Sequence, residues 1–318
     1  MPTVSITDHS FKSIDQERSI LEPAGFVVQE ITPACKTEED VVGKCGAADV
    51  LLVQWAPITR HVLESLPRVK CIVRYGIGVD NIDVQSARAL GRMVSNVPRY
   101  CQDEVSDHTV AMILSLTRRI CHDHYQIAHG GWGIAPFLPI PAFSDMIVGL
   151  IGFGSIARRV SEKLKCFRFR QVAFDPQVDD RIFEDCGVQR VDQDTLFSLA
   201  DVISLHCPLL DETRHMINRT TISKMKQNVI LVNTARGGLV NQVDLLNVLK
   251  SGKMAGAGLD VFEVEPLPVD SPLRALPNVI LTSHAASVSE RARELLQIQA
   301  AEAARDFLNG QRPVGALT

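Results

Sequence analysis

The sequence has no excess of positive charge and no long hydrophobic run. Lysine and arginine number 33 against 37 aspartate and glutamate residues, which gives a formal net charge of −4 at pH 7. Without a basic surface, nucleic acid and anionic membranes are not expected as main partners. No apolar stretch approaches the roughly 18 residues of a membrane-spanning helix, and residues 1–8 lack a signal-peptide pattern. We therefore expect a cytoplasmic protein that holds small anions through individual arginines.

The eight cysteines follow no metal-binding or disulfide pattern. They are dispersed, without a Cys-x-x-Cys pair and without histidines at metal-ligand spacing. This favours buried thiols in a reducing compartment and predicts no bound metal. His122 and His124 flank Asp123, which leaves a metal site as an alternative, although a solvated helix end is the favoured interpretation.

The chain length and the alternation of apolar runs with helical segments predict two α/β domains. At 318 residues the chain is about twice the length of a typical domain. Strands that alternate with helices imply parallel sheets covered on both faces. We therefore predict two doubly wound parallel-sheet domains. The apolar runs lie at residues 4–6, 26–28, 50–53, 71–75 and 93–94, and again at 147–151, 172–174, 202–205, 229–232, 257–259 and 279–281.

Two long amphipathic segments complete this organisation. One spans about residues 103–120 and the other about residues 289–308. The second segment has no strand of its own, so we expect it to return to the first domain. The predicted domains are residues 1–100 with 289–318, and residues 101–288.

The most informative local motif is a glycine turn between an apolar strand and a helix. Gly152 permits a sharp turn off the strand, Gly154 lets a pyrophosphate approach the backbone, and Ala157 provides the third small position. The N–H groups of Ser155 and Ile156 begin the helix and can bind the phosphates. The motif therefore predicts a dinucleotide site.

An acid at the end of the next apolar run indicates which dinucleotide is bound. Asp175 lies about 20 residues after the glycine turn, where a carboxylate accepts hydrogen bonds from the adenosine ribose hydroxyls. The same charge repels a 2′-phosphate. We therefore predict NAD rather than NADP as the cofactor.

Three polar residues follow consecutive strands of the second domain. Arg236, Glu265 and His284 come after the runs that end at residues 232, 259 and 281. In open α/β sheets the active site lies at these strand ends. A guanidinium binds a carboxylate bidentately, and an imidazole paired with a carboxylate transfers a proton near neutral pH. This set predicts hydride transfer between NAD and a 2-hydroxy or 2-keto acid.

The same residues carry a resemblance to a known family. The strings around Arg236, Glu265 and His284, the glycine turn and residues 75–83 resemble the D-isomer-specific 2-hydroxyacid dehydrogenases over nearly the whole chain. The resemblance implies a flavodoxin-like substrate domain completed by the C-terminal helix, an inserted Rossmann NAD domain and a cleft between them. It also implies a homodimer built on the NAD domain.

The resemblance further implies a role for each site residue. Arg236 binds the substrate carboxylate, His284 is the general acid and base, and Glu265 pairs with it. Tyr75 and the backbone of Gly76, Ile77 and Gly78 hold the substrate. The cofactor is contacted by Cys207 and Pro208 at the adenosine, Thr213 at the phosphates, Thr234 and Ala235 near the nicotinamide, Asp260 at its carboxamide, and Val105 at its ring.

Within the family, the chain is most similar to the branch that contains phosphoglycerate dehydrogenases and C-terminal-binding protein corepressors. Members close to the corepressors usually carry tryptophan after His-Ala-Ala, whereas this chain has Ser287. Substrate-tail contacts are expected from Gln54, Trp55, Arg74 or Tyr75. We expect small unphosphorylated acids such as glyoxylate or hydroxypyruvate to be preferred.

Two alternatives to a 2-keto acid reductase remain open. An NAD(H)-sensing dimeric binding protein of the corepressor type needs none of the three polar residues, so their presence favours an enzyme. Formate oxidation on the same fold is disfavoured because the formate enzymes that resemble this family carry glutamine in place of Glu265.

The apolar residues after the first long helix are expected to bury against a second copy of the chain; they are Ile134, Phe137, Leu138, Ile140 and Phe143.

Overall fold

Parallel strands alternate with helices in both halves of the chain. The computed structural model describes residues 1–133 and 140–318. The chain forms two compact units, which are Met1–Cys101 with Val288–Thr318, and Gln102–Ser287. Each unit contains one sheet, and all neighbouring strands in both sheets are parallel. The predicted fold class, two parallel-sheet α/β domains, is confirmed.

The first unit contains a five-stranded sheet. Its strands are β1 (Thr3–Ile6), β2 (Val27–Glu30), β3 (Val50–Val53), β4 (Cys71–Arg74) and β5 (Met93–Ser95), in the order β2-β1-β3-β4-β5. Its helices are α1 (Asp15–Leu21), α2 (Glu38–Lys44), α3 (Arg60–Ser65), α4 (Val84–Ala89) and, from the end of the chain, α12 (Glu290–Leu308). The strand order reverses between β1 and β3, and such a reversal opens a crevice at the carboxyl ends of the strands.

The second unit contains a seven-stranded sheet. Its strands are β6 (Ile147–Ile151), β7 (Arg170–Phe174), β8 (Gln189–Arg190), β9 (Val202–Leu205), β10 (Val229–Asn233), β11 (Met254–Leu259) and β12 (Val279–Leu281). Its helices are α5 (Gln102–Thr117), α6 (Ile120–Ala128), α7 (Ser155–Lys165), α8 (Asp180–Asp185), α9 (Gln193–Leu199), α10 (Arg219–Ser223) and α11 (Gln242–Lys250). The order β12-β11-β10-β9-β6-β7-β8 reverses between β6 and β9, as in dinucleotide-binding sheets.

Apolar layers cover both faces of each sheet. Strands β3 and β10 are buried along their whole length, which explains why the corresponding sequence runs are continuously apolar rather than alternating. Helix α12 packs against α1 and against strands β3 and β4, and it buries a small-residue face that includes Ala300, Ala301 and Ala304. The last helix of the chain therefore contributes to the core of the first unit.

Side-chain caps define several helix ends. The hydroxyl of Thr37 accepts the N–H of Asp40, and the Asp40 carboxylate accepts the N–H of Thr37, so a capping box begins α2. Asn241 caps α11 by accepting the N–H of Asp244, and Ser289 caps α12 by accepting the N–H of Ala292.

Two elements differ from the sequence-based expectation. The helix predicted over about residues 103–120 ends three residues early, at Thr117, and Arg119 with φ of 55° separates it from α6. No glycine or proline marks this break. The edge strand β8 is only two residues long and exposed, which is too short to give an alternating pattern.

The described residues contain neither a membrane-spanning helix nor a metal-ligand cluster. Over residues 1–133 and 140–318, no helix has the length and apolar character to cross a membrane. In the same residues, His, Cys, Asp and Glu side chains form no cluster of three or more with metal-ligand geometry.

Candidate active site

The glycine turn lies where the strand order of the second sheet reverses. Gly152 has φ of 86°, and a Cβ atom there would lie 2.7 Å from the carbonyl carbon of His206 and 2.7 Å from the backbone nitrogen of Cys207. Glycine is therefore required at this position for the tips of β6 and β9 to meet. At Gly154 a Cβ atom would meet no described atom within 4 Å. This open space lies at the N-terminus of α7, where backbone N–H groups favour an anion.

Ser155 and Ile156 form the first turn of α7, and Ala157 is fully buried beneath it. Gly154, the N-cap of α7, contributes no side-chain cap from within the described residues. The first-turn N–H groups of α7 therefore remain as donors for phosphate oxygens. The small Ala157 side chain lets the helix pack closely on the sheet.

Asp175 follows β7 and is tied to the glycine turn. One of its carboxylate oxygens accepts the N–H of Phe153 at 2.8 Å, and the other accepts the N–H of Gln177 at 2.9 Å. A carboxylate has about four lone-pair positions, so capacity remains for ribose hydroxyls. The acid is therefore rigidly placed beside the open space above α7, which fits a ribose.

The loop after β9 forms the other wall of this turn. Burial raises the pKa of the half-buried Cys207 thiol to about 11, and the nearby charge of Asp175 acts in the same direction. Burial lowers the pKa of His206 to about 4, so both side chains are neutral at pH 7. Thr213 donates its hydroxyl to the carbonyl of Pro208 at 2.7 Å and accepts the N–H of Leu210 at 2.8 Å. These bonds hold the 207–213 loop in a closed turn.

Asn233 and Gly237 shape the turn that carries Arg236. The side chain of Asn233 accepts the N–H of Ala235 and donates to the carbonyl of Arg236, at 3.0 and 2.8 Å. A Cβ atom at Gly237 would overlap the carbonyl group of Phe262, at 1.9 Å. The absence of a side chain at 237 therefore lets the Arg236 turn touch the loop after β11. Arg236 itself is half-buried.

Glu265 and His284 form a hydrogen-bonded pair. Nδ1 of His284 lies 2.7 Å from Oε2 of Glu265, and the other carboxylate oxygen accepts the N–H of Phe262 at 2.9 Å. Because a carboxylate only accepts, Nδ1 is the donor, and Nε2 is left as the nitrogen available to a ligand. The side chain of His284 is 51% exposed and that of Glu265 is 35% exposed.

The pKa of Glu265 lies below its usual value. Burial acts to raise this pKa, but the hydrogen bonds from His284 and from the N–H of Phe262, with the charges of His284 and Arg236, outweigh it. The carboxyl group is therefore ionised at neutral pH, as a partner for an imidazole must be.

Asp260 is fully buried and bound to the loop that carries His284. Its carboxylate accepts the N–H groups of Ala285 and Ala286 at 2.8 and 3.0 Å and the hydroxyl of Thr282 at 2.5 Å. Its backbone oxygen accepts the N–H of His284 at 2.8 Å. Asp260, which is predicted to bind the carboxamide of the nicotinamide, thus also shapes the loop that carries His284.

Thr234 and Val105 lie beside these strand ends. Thr234 follows β10, and its hydroxyl bonds that of Thr109 at 2.8 Å. Thr109 belongs to α5, one turn after Val105, which is buried. These contacts place one face of α5 against the end of β10.

The loop after β4 belongs to the first unit. Gly76 has φ of 142° and donates its N–H to the carbonyl of Arg74. The N–H groups of Ile77 and Gly78 donate no hydrogen bond within the described part of the chain, whereas the carbonyl of Ile77 accepts the side chain of Asn96 at 2.7 Å. Two adjacent donors on a braced loop fit one side of an anion.

The side chain of Tyr75 does not point to this loop surface. It is buried in the core of the first unit, where its hydroxyl donates to Oε1 of the buried Glu17 at 2.8 Å. The hydroxyl of Tyr75 is thus used inside the core, and its backbone N–H donates to the carbonyl of Val53 at 2.8 Å.

Asp8 holds the loop after β3. Its carboxylate accepts the N–H groups of Gln54, Trp55 and Ala56, at 3.1, 2.5 and 3.3 Å. The loop presents the indole of Trp55, which is 59% exposed. The exposed indole of Trp55 therefore lies after β3, next to the crevice of the first sheet, on a loop that Asp8 holds in place.

With this geometry described, comparison with known proteins identifies the family. The family model described as "D-isomer specific 2-hydroxyacid dehydrogenase, NAD binding domain" matches residues 110–286, more than half of the chain. The chain belongs to this family. NAD is therefore its cofactor, and the residues around the glycine turn fit that cofactor.

Relatives and solved structures of the family extend the similarity beyond the NAD-binding domain. The chain is 38% identical to D-3-phosphoglycerate dehydrogenase of Methanocaldococcus jannaschii over 92% of its own length, and it spans about half, 55%, of that relative. It is 38% identical to hydroxypyruvate reductase of Thermotoga maritima over 86% of this chain and 89% of the other. D-lactate dehydrogenase of Aquifex aeolicus, solved with NAD and lactic acid, has a TM-score of 0.84 at 27% identity over 97% of this chain and 96% of the other.

Several residues that shape the site were not expected from the sequence. Asn233, Thr282 and Asp8 hold loops at strand ends, and Gly237 permits two loops to touch. A signal existed for Asn233 and Thr282, because each is a polar residue at the end of an apolar strand. The positions of Asp8 and Gly237 depend on contacts between distant segments, which sequence spacing does not report.

Proposed function

We propose that this member of the family is an NAD-dependent 2-keto acid reductase, and in the opposite direction a D-2-hydroxyacid dehydrogenase. The observation that carries the proposal is the 2.7 Å bond between Nδ1 of His284 and Oε2 of Glu265 at the strand ends of the second unit, where Arg236 follows strand β10. A general acid, a group that orients it and a carboxylate anchor are what this reaction needs from the protein.

His284 is the proposed proton donor for the substrate carbonyl. With Nδ1–H directed to Glu265, the imidazolium presents Nε2–H to the carbonyl oxygen. The ionised Glu265 fixes this orientation and stabilises the charged imidazolium. In the oxidative direction the neutral ring accepts the hydroxyl proton at the same nitrogen, because both directions share one transition state.

Arg236 is the proposed anchor for the substrate carboxylate. A planar guanidinium binds a carboxylate through two parallel hydrogen bonds and withdraws charge from the neighbouring carbonyl. The free N–H groups of Ile77 and Gly78 support a further contact to the same carboxylate. These contacts determine which face of the carbonyl group is turned toward the nicotinamide. They exclude substrates whose carboxylate is not next to the keto group.

The proposed cofactor contacts follow the glycine turn. Gly152, Gly154, Ser155 and Ile156 would hold the pyrophosphate, and Asp175 the adenosine ribose. When bound, NADH supplies the hydride for the carbonyl carbon. Further contacts are proposed for Cys207, Pro208, Thr213, Thr234, Ala235, Asp260 and Val105.

Small unphosphorylated 2-keto acids are the proposed substrates. Trp55 offers an apolar surface at the crevice of the first sheet. A phosphorylated substrate would need a second cation besides Arg236, for which Arg60, Arg74 and Arg99 are the candidates. Arg60 is already paired with Glu64 at 2.8 Å. Similarity to a hydroxypyruvate reductase and to a lactate dehydrogenase supports small acids, whereas similarity to a phosphoglycerate dehydrogenase supports the phosphorylated alternative.

The two parts of the chain are proposed to have separate roles. Residues 1–100 with 289–318 would form the substrate domain, and residues 101–288 the NAD domain. A cytoplasmic location is also proposed. The eight cysteines are free thiols, and four of them are buried, which is typical of proteins from a reducing compartment.

A homodimer built on the NAD domain is proposed from its exposed apolar residues. Helix α6 buries no side chain and exposes Ile120, Tyr125 and Ile127, and Trp132 after it is 92% exposed. Phe143 stacks on Phe169 of its own unit. Ile134, Phe137 and Leu138, which also supported this prediction, lie outside the described residues.

Light scattering tests the dimer. At micromolar concentration we expect a particle of twice the 35.0 kDa mass of one chain. A single 35.0 kDa species would contradict the proposal.

A panel of 2-keto acids tests the activity. NADH oxidation is followed at one pH with glyoxylate, hydroxypyruvate, pyruvate, a short branched keto acid and 3-phosphohydroxypyruvate. We expect kcat/KM to be highest for an unphosphorylated acid. A higher value for the phosphorylated acid would reject the proposed substrate class, and inactivity on every acid would favour the NAD(H)-sensing binding protein instead.

A further inference from the structure

A partly buried chain of hydrogen bonds connects helix α5 to the loop that carries His284. Nε2 of His108, on α5, lies 3.0 Å from the hydroxyl oxygen of Thr282. That hydroxyl lies 2.5 Å from Oδ1 of Asp260. None of these contacts is needed to explain the pairing of His284 with Glu265.

The direction of the protons in this chain is determined by its last member. Asp260 also accepts two backbone N–H groups, so its carboxylate is an acceptor and Thr282 must donate to it. The Thr282 oxygen then accepts from His108, which therefore carries a proton on Nε2. Each donor polarises the next, and such a chain is stronger than its separate bonds.

The chain of hydrogen bonds ends at the His284 loop, where the backbone conformation of His284 is unfavourable by itself. His284 has φ of 55°, in the left-handed region that non-glycine residues rarely adopt because it strains the backbone. The Asp260 carboxylate holds the next two N–H groups, and its carbonyl holds the N–H of His284. Asp260 therefore fixes the backbone at, and directly after, the strained residue.

We propose that His108 and Thr282 act through Asp260 to hold His284 in the orientation for proton transfer. They are positioning residues and do not touch the substrate. The proposal rests on the proposed function in one respect, which is that His284 is the proton donor. It adds a support on the α5 side that is independent of Glu265.

Substitutions of Thr282 test the chain. Thr282→Val removes the hydroxyl at nearly constant volume, and we expect kcat to fall about tenfold, equivalent to about 1.4 kcal/mol. The Kd for NADH is expected to change by a smaller factor than kcat, because Asp260 is only one of the proposed cofactor contacts and the glycine turn is unaffected. Thr282→Ser keeps the hydroxyl and is expected to retain wild-type kcat.

Substitutions of His108 test the other end. His108→Gln keeps an N–H donor, and we expect kcat close to the wild-type value. His108→Leu removes the donor and is expected to lower kcat about threefold, less than Thr282→Val, because water replaces the lost donor at this half-exposed position.

Two control variants separate this effect from a loss of stability. Thr117→Val removes a buried hydroxyl on the same helix, which bonds only the carbonyls of Ile113 and Leu114. His61→Leu removes an exposed imidazole in the first unit. Both are expected to leave kcat unchanged, whatever they do to Tm.

A spectroscopic measurement decides the proposal even without a turnover assay. In protein labelled with ¹⁵N-histidine, the Nδ1–H signal of His284 is assigned by its loss in His284→Gln. We expect Thr282→Val to shift or broaden this signal and Thr117→Val to leave it unchanged. An unchanged signal in Thr282→Val, or a loss of kcat in Thr282→Ser as large as in Thr282→Val, would overturn the proposal. If the wild type reduces no keto acid, the proposed function fails while this signal still tests the chain.

Discussion

Two histidine–glutamate pairs lie in the second unit, and both histidines have a left-handed backbone. His215 pairs with Glu263 at 2.5 Å, and His284 pairs with Glu265 at 2.7 Å, with φ of 52° and 55° for the histidines. Each glutamate also accepts one backbone N–H, from Gln242 and Phe262 respectively. The two pairs are therefore alike in their immediate contacts.

The surroundings of the two pairs differ. The N–H that Glu263 accepts begins helix α11, and the N–H of His215 donates to the carbonyl of Gly238, so this pair joins two loops to a helix end. Glu265 experiences the charge of Arg236, and His284 follows β12 on the loop that Asp260 holds. A hydrogen-bonded imidazole and carboxylate thus do not suffice to identify a proton-transfer site. The nearby cation Arg236 and the position of the pair at the strand ends distinguish the His284–Glu265 pair from the His215–Glu263 pair.

The largest expected effect comes from breaking one pair and not the other. We expect His284→Ala and Glu265→Gln to lower kcat about 1,000-fold, within the range of general acid–base catalysis, with NADH affinity unchanged. The matched variants His215→Ala and Glu263→Gln are expected to leave kcat within about threefold of wild type, because that pair only joins loops. Steady-state kinetics and NADH titration check both. Equal losses in the two sets would refute the distinction between the pairs.

Removing the guanidinium tests the group that distinguishes the pairs. We expect Arg236→Ala to lower kcat/KM for a keto acid about 100-fold, equivalent to about 2.7 kcal/mol, because the carboxylate contact is lost in the ground and transition states. Arg236→Lys keeps the charge but not the planar fork, so about a tenfold loss is expected. If Arg236→Ala lowered kcat with KM unchanged, Arg236 would not be the carboxylate anchor.

Substitution of Asp175 tests whether the choice between NAD and NADP is independent of the His284–Glu265 pair. Wild-type protein is expected to bind NADH at least about 100-fold more tightly than NADPH, and Asp175→Ala to narrow this ratio about tenfold by admitting NADPH. Titration calorimetry with both nucleotides measures the ratio. Asp185→Ala, at an exposed acid at the other end of α8, is the control, and equal affinities in the wild type would remove the assigned role.

The smallest expected effect is a difference in pH dependence between two carboxyl groups. Burial raises the pKa of Glu17 in the first unit, so its contribution to stability is present below pH 4.5 and is lost as pH rises through the raised value. The pKa of Glu265 is lowered, so its contribution is present above pH 4.5 and is lost as pH falls through the lowered value.

Thermal melts across this pH range compare the two groups. Relative to wild type, the Tm of Glu17→Gln is expected to rise with increasing pH, because the variant has no buried charge to form. The Tm of Glu265→Gln is expected to approach that of wild type in acid. Parallel melting curves for all three proteins would contradict both assignments.

Much of this site was predictable from sequence because its residues follow apolar strands. The glycine turn, Arg236 and His284 could each be placed at a strand end by counting, and parallel strands bring their ends to one edge. Spacing does not separate Glu263 from Glu265, since both lie in the same loop after β11. Their difference depends on which histidine and which cation the folded chain brings near.

Other features could not be predicted for definite physical reasons. The inward direction of Tyr75 depends on the acid that Glu17 supplies from a distant helix. The break at Arg119 is made by a left-handed residue without glycine or proline, so no local signal precedes it. The contacts of His108 join residues 174 positions apart, a separation that helical periodicity does not encode.

The handedness of the product tests the central claim most directly. Hydroxypyruvate is reduced with NADH by the wild-type protein, and the glycerate formed is resolved on a chiral column, with His284→Ala as the control. We expect D-glycerate from the wild type and almost none from the variant. L-glycerate, or an equal yield from His284→Ala, would contradict it.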